Sequence, residues 1–587
     1  MNFLFRIKTL VSILGVFLSL SGFSRDIEIK VIVSSDIHAN VFPYDFINNK
    51  PLGYGLANIQ YLAETVRMQH SNRIVLLDNG DIMQGQPTAY YINHIDDSKE
   101  NLFAGILDYM KYDAAVVGNH DIETGPDVYN KIKEQMKTPW LAANIISKET
   151  NEPYFEPYTI INKSNIKIAV LGLTTPAVKF FLPEKLWEGL DYLDMIESAQ
   201  HWIDVIKEKE KPDVIIGLFH SGLGDFNPDD PEEKPFVNTS AYIARFVPGF
   251  DVIFTGHDHV ERNSFIVNTD KDSVLVMGAG SHGSKVAVAH LTVKRESRNN
   301  YKLITKKGEL YDISQIPPSP QFMEKFDEVI SGVYEYSNKK IGSVNNEIKA
   351  KDALWGNSFA VDFIHDMQKH YTEADISFAA PLNLKMEVNA GAIRIRDAFK
   401  WYPYENYLYV MEFSGSEIKE YLEYSYSLWY NQMNDENDFL LKYNLDEKGE
   451  PETGPGLRNM LANRFYNFDS ASGIIYTVDV SKPPGDRISI LSMSNGDDFD
   501  TEKRYKVALN SYRACGGGRH LIDGLDFTPE QIKDRVVSIS DKRLRDLLID
   551  YIEEKEEIIQ YRNDNWSVIP EGRVERAILR EQLLLWP

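Results

Sequence analysis

Asp36 and His38 follow a β-branched run, Val31-Ile32-Val33, and four more apolar runs end in the same way. Ile74-Val75-Leu76-Leu77 leads into Asn79-Gly80-Asp81, and Ala115-Val116-Val117 into Gly118-Asn119-His120-Asp121. Ile215-Ile216-Gly217-Leu218-Phe219 ends in His220, and Val252-Ile253-Phe254 in Gly256-His257-Asp258-His259. Short apolar runs of this kind read as buried strands, and the C-terminal ends of parallel strands are where α/β sheets place their sites. Asp-x-His and His-x-His put two side chains on one side of an extended strand end, because alternate residues share a face. Carboxylates, imidazoles and one amide suit Zn, Mn, Fe or Co, and two such ions about 3.5 to 4 Å apart clamp an in-line displacement at phosphorus. Taken singly, each residue has a plain structural explanation: a lone His on an apolar strand is usually core, and an Asp after a strand usually caps a helix. Structural need does not explain why five of the thirteen histidines share one context with two aspartates and an asparagine.

The elements that must position these side chains are legible as alternating short β-branched runs and helical patterns up to about residue 293, the signature of βαβ units. Strands are expected at 28–34, 73–77, 114–117, 166–171, 214–218, 252–254, 274–277 and 286–293. Leu56, Ile59, Leu62, Ala63 and Val66 recur at helical spacing, as do Met195, Ala199, Trp202, Ile203 and Ile206. The run Ile316-Pro317-Pro318-Ser319-Pro320 breaks the pattern, and 321–336 reads as one helix leading away from it. Beyond it the chain reads as α+β, with a helix near 357–370, strands at 407–413, 473–479 and 505–509, and a helical, charge-rich end at 541–587. Glu553-Glu554-Lys555-Glu556-Glu557 is read as a solvated face. The organisation expected is residues 1–24 as a signal peptide, 25–310 as a catalytic domain, 311–340 as a linker and 341–587 as a substrate-recognition domain.

At 587 residues the chain is too long for one compact core, and its 43% hydrophobic and 26% charged residues are those of a folded globular protein. A net charge of -24 opposes binding to nucleic acid, so none is expected as a partner. With Cys515 as the single cysteine, a disulfide framework or a CxxC zinc site is excluded. Arg6 and Lys8, the apolar run 9–20 and the small residues around Gly22-Phe23-Ser24 form an export signal, too short to stay as a membrane span. An exported, periplasmic protein without a stable membrane anchor is expected, and a monomer.

These five blocks, in this order, resemble the calcineurin-like metallophosphoesterases, whose pattern is D-x-H, G-D, G-N-H-[DE], H and G-H-x-H. The second half resembles the C-terminal domain of exported 5'-nucleotidases and 2',3'-cyclic-nucleotide 2'-phosphodiesterase/3'-nucleotidases. The resemblance implies a four-layer αββα catalytic domain followed by an α+β domain. It implies two divalent metal ions, Asp36, His38 and His259 binding one, Asn119, His220 and His257 the other, and Asp81 bridging them. It makes His120 the catalytic histidine, with an acid to orient it; Glu123 stands at the spacing of the 5'-nucleotidase branch, and Asp121 competes for the role. It assigns nucleotide binding to rings matching Tyr404 and Tyr512, with Asn119 as a further substrate contact and Arg513 holding either the loop or a phosphate, a salt bridge being its plain structural role.

A phosphatase site alone needs no second domain of this size, so the extra residues are expected to recognise the leaving group. An arginine of the 5'-nucleotidase branch is missing from Ala379-Ala380-Pro381-Leu382-Asn383-Leu384-Lys385, with Arg394 and Arg396 close enough in sequence to replace it. The Ala380-Pro381 start of this stretch and the segment 417–423 farther on are similar to the cyclic-phosphodiesterase branch, so the expected substrates are 2',3'-cyclic nucleotides and 3'-nucleotides. The alternatives are a 5'-nucleotidase, a hydrolase of another phospho-ester or sulfur ester, and a non-catalytic periplasmic binding protein. His282, in Ala279-Gly280-Ser281-His282-Gly283, is read as a loop residue.

Overall fold

A computed structural model describes residues 26–586 except 71, 97–99, 226, 228–231, 233, 298–299 and 453–459. The expected signal peptide lies outside the described residues. In the N-terminal half the apolar runs form two sheets of six strands each. The first runs Asn300–Asp312, Lys285–Ser297, Ile27–Ser34, Ile74–Asp78, Ala114–Val116, Trp140–Leu141. Its last four strands are parallel, and the two long ones pair antiparallel to complete an edge. The second runs Glu261–Val267, Ser273–Ala279, Val252–Thr255, Val214–His220, Ile166–Thr174, Tyr158–Lys163, parallel in its middle and antiparallel at both ends.

The period-2 alternation of the strands explains the layering. Val31, Val33, Val75 and Leu77 of the first sheet meet Val170, Ile216, Leu218 and Phe254 of the second in one buried core. The intervening residues face outward: Ile32 and Leu76 pack with Leu56 and Ile59 of helix Leu56–Gln69, and Ile215 and Phe219 with Ala199 and Ile203 of helix Met195–Lys209. Both faces of each sheet are thus covered, which is why the strands are continuously apolar. The four-layer αββα arrangement follows.

The segment expected as one helix after the Pro-rich run is two, Pro320–Lys325 and Asp327–Asn338, because Phe326 leaves helical geometry at φ -109°, ψ 19°. The C-terminal half is built on a sheet ordered Ser470–Ser472, Ile376–Ala379, Arg504–Asn510, Tyr407–Ser414, Val536–Arg543, flanked by helices Phe359–Thr372, Gly415–Trp429 and Leu544–Lys555. A reciprocal capping box starts Gly415–Trp429: Ser414 Oγ accepts from Glu417 N–H and the Glu417 carboxylate from Ser414 N–H. The chain's end is not wholly helical: Trp566–Ile569 is a strand that pairs parallel with Ile474–Asp479, between helices Leu544–Lys555 and Glu571–Leu585. Residues 553–557 are exposed.

The halves touch through defined contacts. Tyr90 stacks on Tyr336 of the linker, Lys185 Nζ lies 3.6 Å above the Tyr407 ring, and Lys533 pairs with Glu184 at 3.0 Å. The short helix Ser511–Ala514 packs against Val178–Phe181.

Candidate active site

The five strand ends converge at one end of the sheet sandwich, three from the first sheet and two from the second. The chain there turns under strain: Asp36, His38, Asp81, His257 and His259 all have φ between 48° and 70°. Non-glycine residues rarely adopt this left-handed region, and such strain gathers where function demands it. Gly80 (φ 85°) makes the turn before Asp81. Gly118 is required by contact: a Cβ there would lie 2.1 Å from Asp81 Oδ1.

Two donor groups result, Asp36 with His38 and His259, and Asp81 with His220 and His257. In the first, His38 Nδ1 donates to Gln84 Oε1 at 3.1 Å, which turns its Nε2 lone pair toward His259 Nε2 at 2.9 Å, and His259 Nε2 is 3.5 Å from Asp36 Oδ1. In the second, His220 Nδ1 donates to the Asn79 carbonyl at 2.7 Å. Its Nε2 then faces Asp81 Oδ2 and Asn119 Oδ1, both at 3.1 Å, and Asn119 Oδ1 is also 2.7 Å from His257 Nδ1. Asp81 Oδ2 is buried without a hydrogen-bond partner. Lone pairs aimed at one another in a dry space repel unless a cation lies among them, so the donor set fits divalent metal.

The electrostatics of two of the imidazoles agree. Burial, followed by the charge of His220, pushes His257 down to about 3, and burial holds His38 well below its ordinary value; both rings are neutral and keep a lone pair for a metal. Burial opposes a charge on His220, but the Asp81 carboxylate overrides it and pushes that ring up to about 10, so without a metal a proton on Nε2 takes the place among these acceptors that a cation would fill. Burial pushes Asp36 up to about 7, against His220 and with Asp81.

Beside the donors, His120 N–H donates to Asp81 Oδ1 at 2.8 Å and His120 Nδ1 lies 2.5 Å from Glu123 Oε2. Burial opposes its charge, but Asp81 and Glu123 push the ring up to about 9. Asp121 does something else. Its two oxygens accept from the backbone N–H groups of Gly118, Asp81, Ile82 and Met83, tying the second strand end to the third. The acid on the His120 ring is Glu123, and Asp121 is a loop tie.

His282 is more than a connector: it sits at φ 62°, its ring 5.5 Å from that of His38 and its N–H on the Asp36 carbonyl at 2.7 Å. Phe181 stacks on His257, with ring centres 5.9 Å apart, which sets the Val178–Phe181 helix between the metal donors and the helix that carries Tyr512.

In the second half, Tyr404 and Tyr512 are half-buried, and each lies against a third ring, Tyr466, which the sequence did not single out. Of the two roles open to Arg513, the structure supports holding the loop. Its Nε and Nη2 grip Asp469 at 2.8 and 3.0 Å, Nη1 donates to Asn467 Oδ1 and the Gly517 carbonyl, and Nη2 also to the Tyr466 carbonyl. Five donors meet five acceptors, so none is left for a substrate. Arg394 and Arg396 each donate a hydrogen bond to Asn338, at the end of the linker helix.

Comparison with known proteins defines the class. Residues 29–261 match the family model described as calcineurin-like phosphoesterase, and residues 340–523 the one described as 5'-nucleotidase, C-terminal domain. The chain belongs to the calcineurin-like phosphoesterases and carries a 5'-nucleotidase C-terminal domain, which makes it a metal-dependent phosphoric ester hydrolase. Among individual proteins it is 26% identical, over 84% of its length and 81% of the relative's, to the 2',3'-cyclic-nucleotide 2'-phosphodiesterase/3'-nucleotidase of Yersinia enterocolitica. It is 25% identical, over 93% of its length, to the trifunctional nucleotide phosphoesterase protein YfkN of Bacillus subtilis, and spans only 39% of that longer protein. Its fold is shared with a Staphylococcus aureus protein solved in complex with alpha-ketoglutarate, at a TM-score of 0.74 and 22% identity over 92% of this chain and 99% of that one. No helix among the described residues is long and apolar enough to cross a membrane.

Proposed function

We propose that the protein is an exported, monomeric phosphohydrolase that releases nucleoside and phosphate from small-molecule nucleotides, favouring 2',3'-cyclic nucleotides and 3'-nucleotides. The observation that carries this reading is the buried meeting of His220 Nε2, Asp81 Oδ2 and Asn119 Oδ1 directly beside the His120–Glu123 pair. Asp36, His38 and His259 would hold one divalent ion, Asn119, His220 and His257 a second, and Asp81 would bridge. When bound, the ions supply positive charge against the phosphoryl oxygens and activate water for in-line attack.

The chain's own residues do the rest. Glu123 engages His120 at Nδ1 and so leaves Nε2–H to be given to the leaving oxygen, while the neighbouring carboxylates keep that proton in place at neutral pH. The half-buried tyrosines of the second lobe give a planar base a face to stack on. The A-P start at Ala380-Pro381 and the segment 417–423 support the cyclic-nucleotide branch, as does the name of the Yersinia relative. The matched C-terminal family supports the second reading, a 5'-nucleotidase. Hydrolysis of 2',3'-cyclic AMP, 3'-AMP and 5'-AMP by the metal-loaded protein separates them: kcat/KM is expected to be highest for the first two, and a wide preference for 5'-AMP would reverse the assignment.

A further inference from the structure

The rings of Tyr404, on a loop, Tyr466, on the 3-10 turn Phe465–Asn467, and Tyr512, on the short helix Ser511–Ala514, lie together in the second lobe. The Tyr466 ring lies 6.0 Å from that of Tyr404 at 72°, and 6.4 Å from that of Tyr512 at 80°. It is therefore close to perpendicular to both. Tyr421, Tyr426, Tyr430 and Tyr476, which fill this lobe, are each at most 1% exposed. The three rings in question are all half-buried.

The position of Tyr466 is built rather than incidental. Arg513 Nη2 holds the Tyr466 carbonyl at 2.8 Å and Nη1 holds the neighbouring Asn467 at 3.0 Å. The same guanidinium is anchored by Asp469 and grips the Gly517 carbonyl, a few residues past Tyr512. Arg513 and Asp469 are 1% and 2% exposed, so one buried ion pair fixes the Tyr466 loop against the Tyr512 loop. A buried pair of this kind costs desolvation, and its product is defined geometry. The backbone of Tyr466 is pinned while its ring reaches the partly open surface.

We propose that Tyr466 is a third wall of the leaving-group site, meeting the edge of a nucleobase stacked on Tyr404 or Tyr512, and is a specificity-determining residue. This rests on the reading that the substrate is a nucleotide. A planar base stacked on either outer ring would meet Tyr466 at the near-right angle that Tyr466 already makes with that ring, and edge-to-face contact is a favoured arrangement of π-systems.

Steady-state kinetics with 2',3'-cyclic AMP on the metal-loaded full chain, in wild type, Tyr466→Leu and Tyr466→Phe, test it. Leucine keeps bulk and removes the ring: KM is expected to rise about tenfold, within the range for loss of one base–ring contact, with kcat within about twofold. Phenylalanine keeps the ring and is expected to restore KM. A wild-type KM in Tyr466→Leu, a loss confined to kcat, or a Tyr466→Phe variant as impaired as the leucine variant would overturn the proposal. Nucleotide turnover with no effect of Tyr466→Leu removes this inference alone. A wild-type protein that hydrolyses p-nitrophenyl phosphate and no nucleotide removes the substrate reading and the inference together.

Discussion

Two acids two positions apart, Asp121 and Glu123, do opposite work, and substitution separates them. Glu123→Gln keeps a hydrogen bond to His120 but removes the charge that holds the ring's proton; kcat is expected to fall about 10- to 100-fold with thermal stability unchanged. Asp121→Ala strands four buried backbone N–H groups and is expected to cost about 3 kcal/mol or more of stability, measured by denaturant unfolding. The reverse pattern would exchange the two roles. Arg513→Met leaves Asp469 buried and unpaired, and about 3 to 5 kcal/mol of destabilisation is expected. A variant of wild-type stability would show that the pair does not hold the loop. The metal-donor residues were legible because each stands at a strand end in a repeated context. For Arg513 a loop-holding salt bridge was open from sequence but its partner was not legible, since Asp469 is 44 positions away and nothing local marks the pairing. Tyr466 escaped for a related reason: no Pro or Gly turn flanks it as they flank Tyr404 and Tyr512.

At the scale of elements, the strand runs were readable because burial on both faces makes them continuously apolar, and the two main covering helices because their apolar stripe faces one way. Periodicity could not say that the strands divide between two sheets, because pairing partners leave no local trace. The same limit hid the strand Trp566–Ile569, whose parallel partner is Ile474–Asp479, far back in the chain. The turn at Gly118 makes an element-level prediction. Gly118→Ala places a methyl group 2.1 Å from Asp81 Oδ1 and 2.4 Å from Asp81 N, so the second and third strand ends must separate. Metal affinity, followed by titration of the metal-free protein with manganese, is expected to weaken, while the distant sheet core stays folded. Unchanged affinity would mean that the close approach of these loops is not needed.

For the whole molecule, the sheet sandwich supplies metal donors and a proton donor, and the second lobe brings aromatic rings toward them across the Val178–Phe181 helix, the Lys185–Tyr407 contact and the linker helices. Division of labour between lobes predicts that Tyr404→Ala with Tyr512→Ala lowers kcat/KM for nucleotides much more than for p-nitrophenyl phosphate, whose small leaving group needs no base site; equal losses would make the rings structural. The net charge of -24 would not oppose an anionic substrate, because two divalent ions bound as proposed would dominate the field at that site. All of this depends on the convergence of Asp36, His38, Asp81, Asn119, His220, His257 and His259 into a centre for two cations. Metal content per chain, measured by mass spectrometry on the protein equilibrated with manganese or zinc and then desalted, tests it most directly. About two ions per wild-type chain are expected, with fewer in Asp81→Asn and phosphoesterase activity down about a thousandfold. A wild-type chain that retains no metal, or an Asp81→Asn variant with full metal content and full activity, would contradict it.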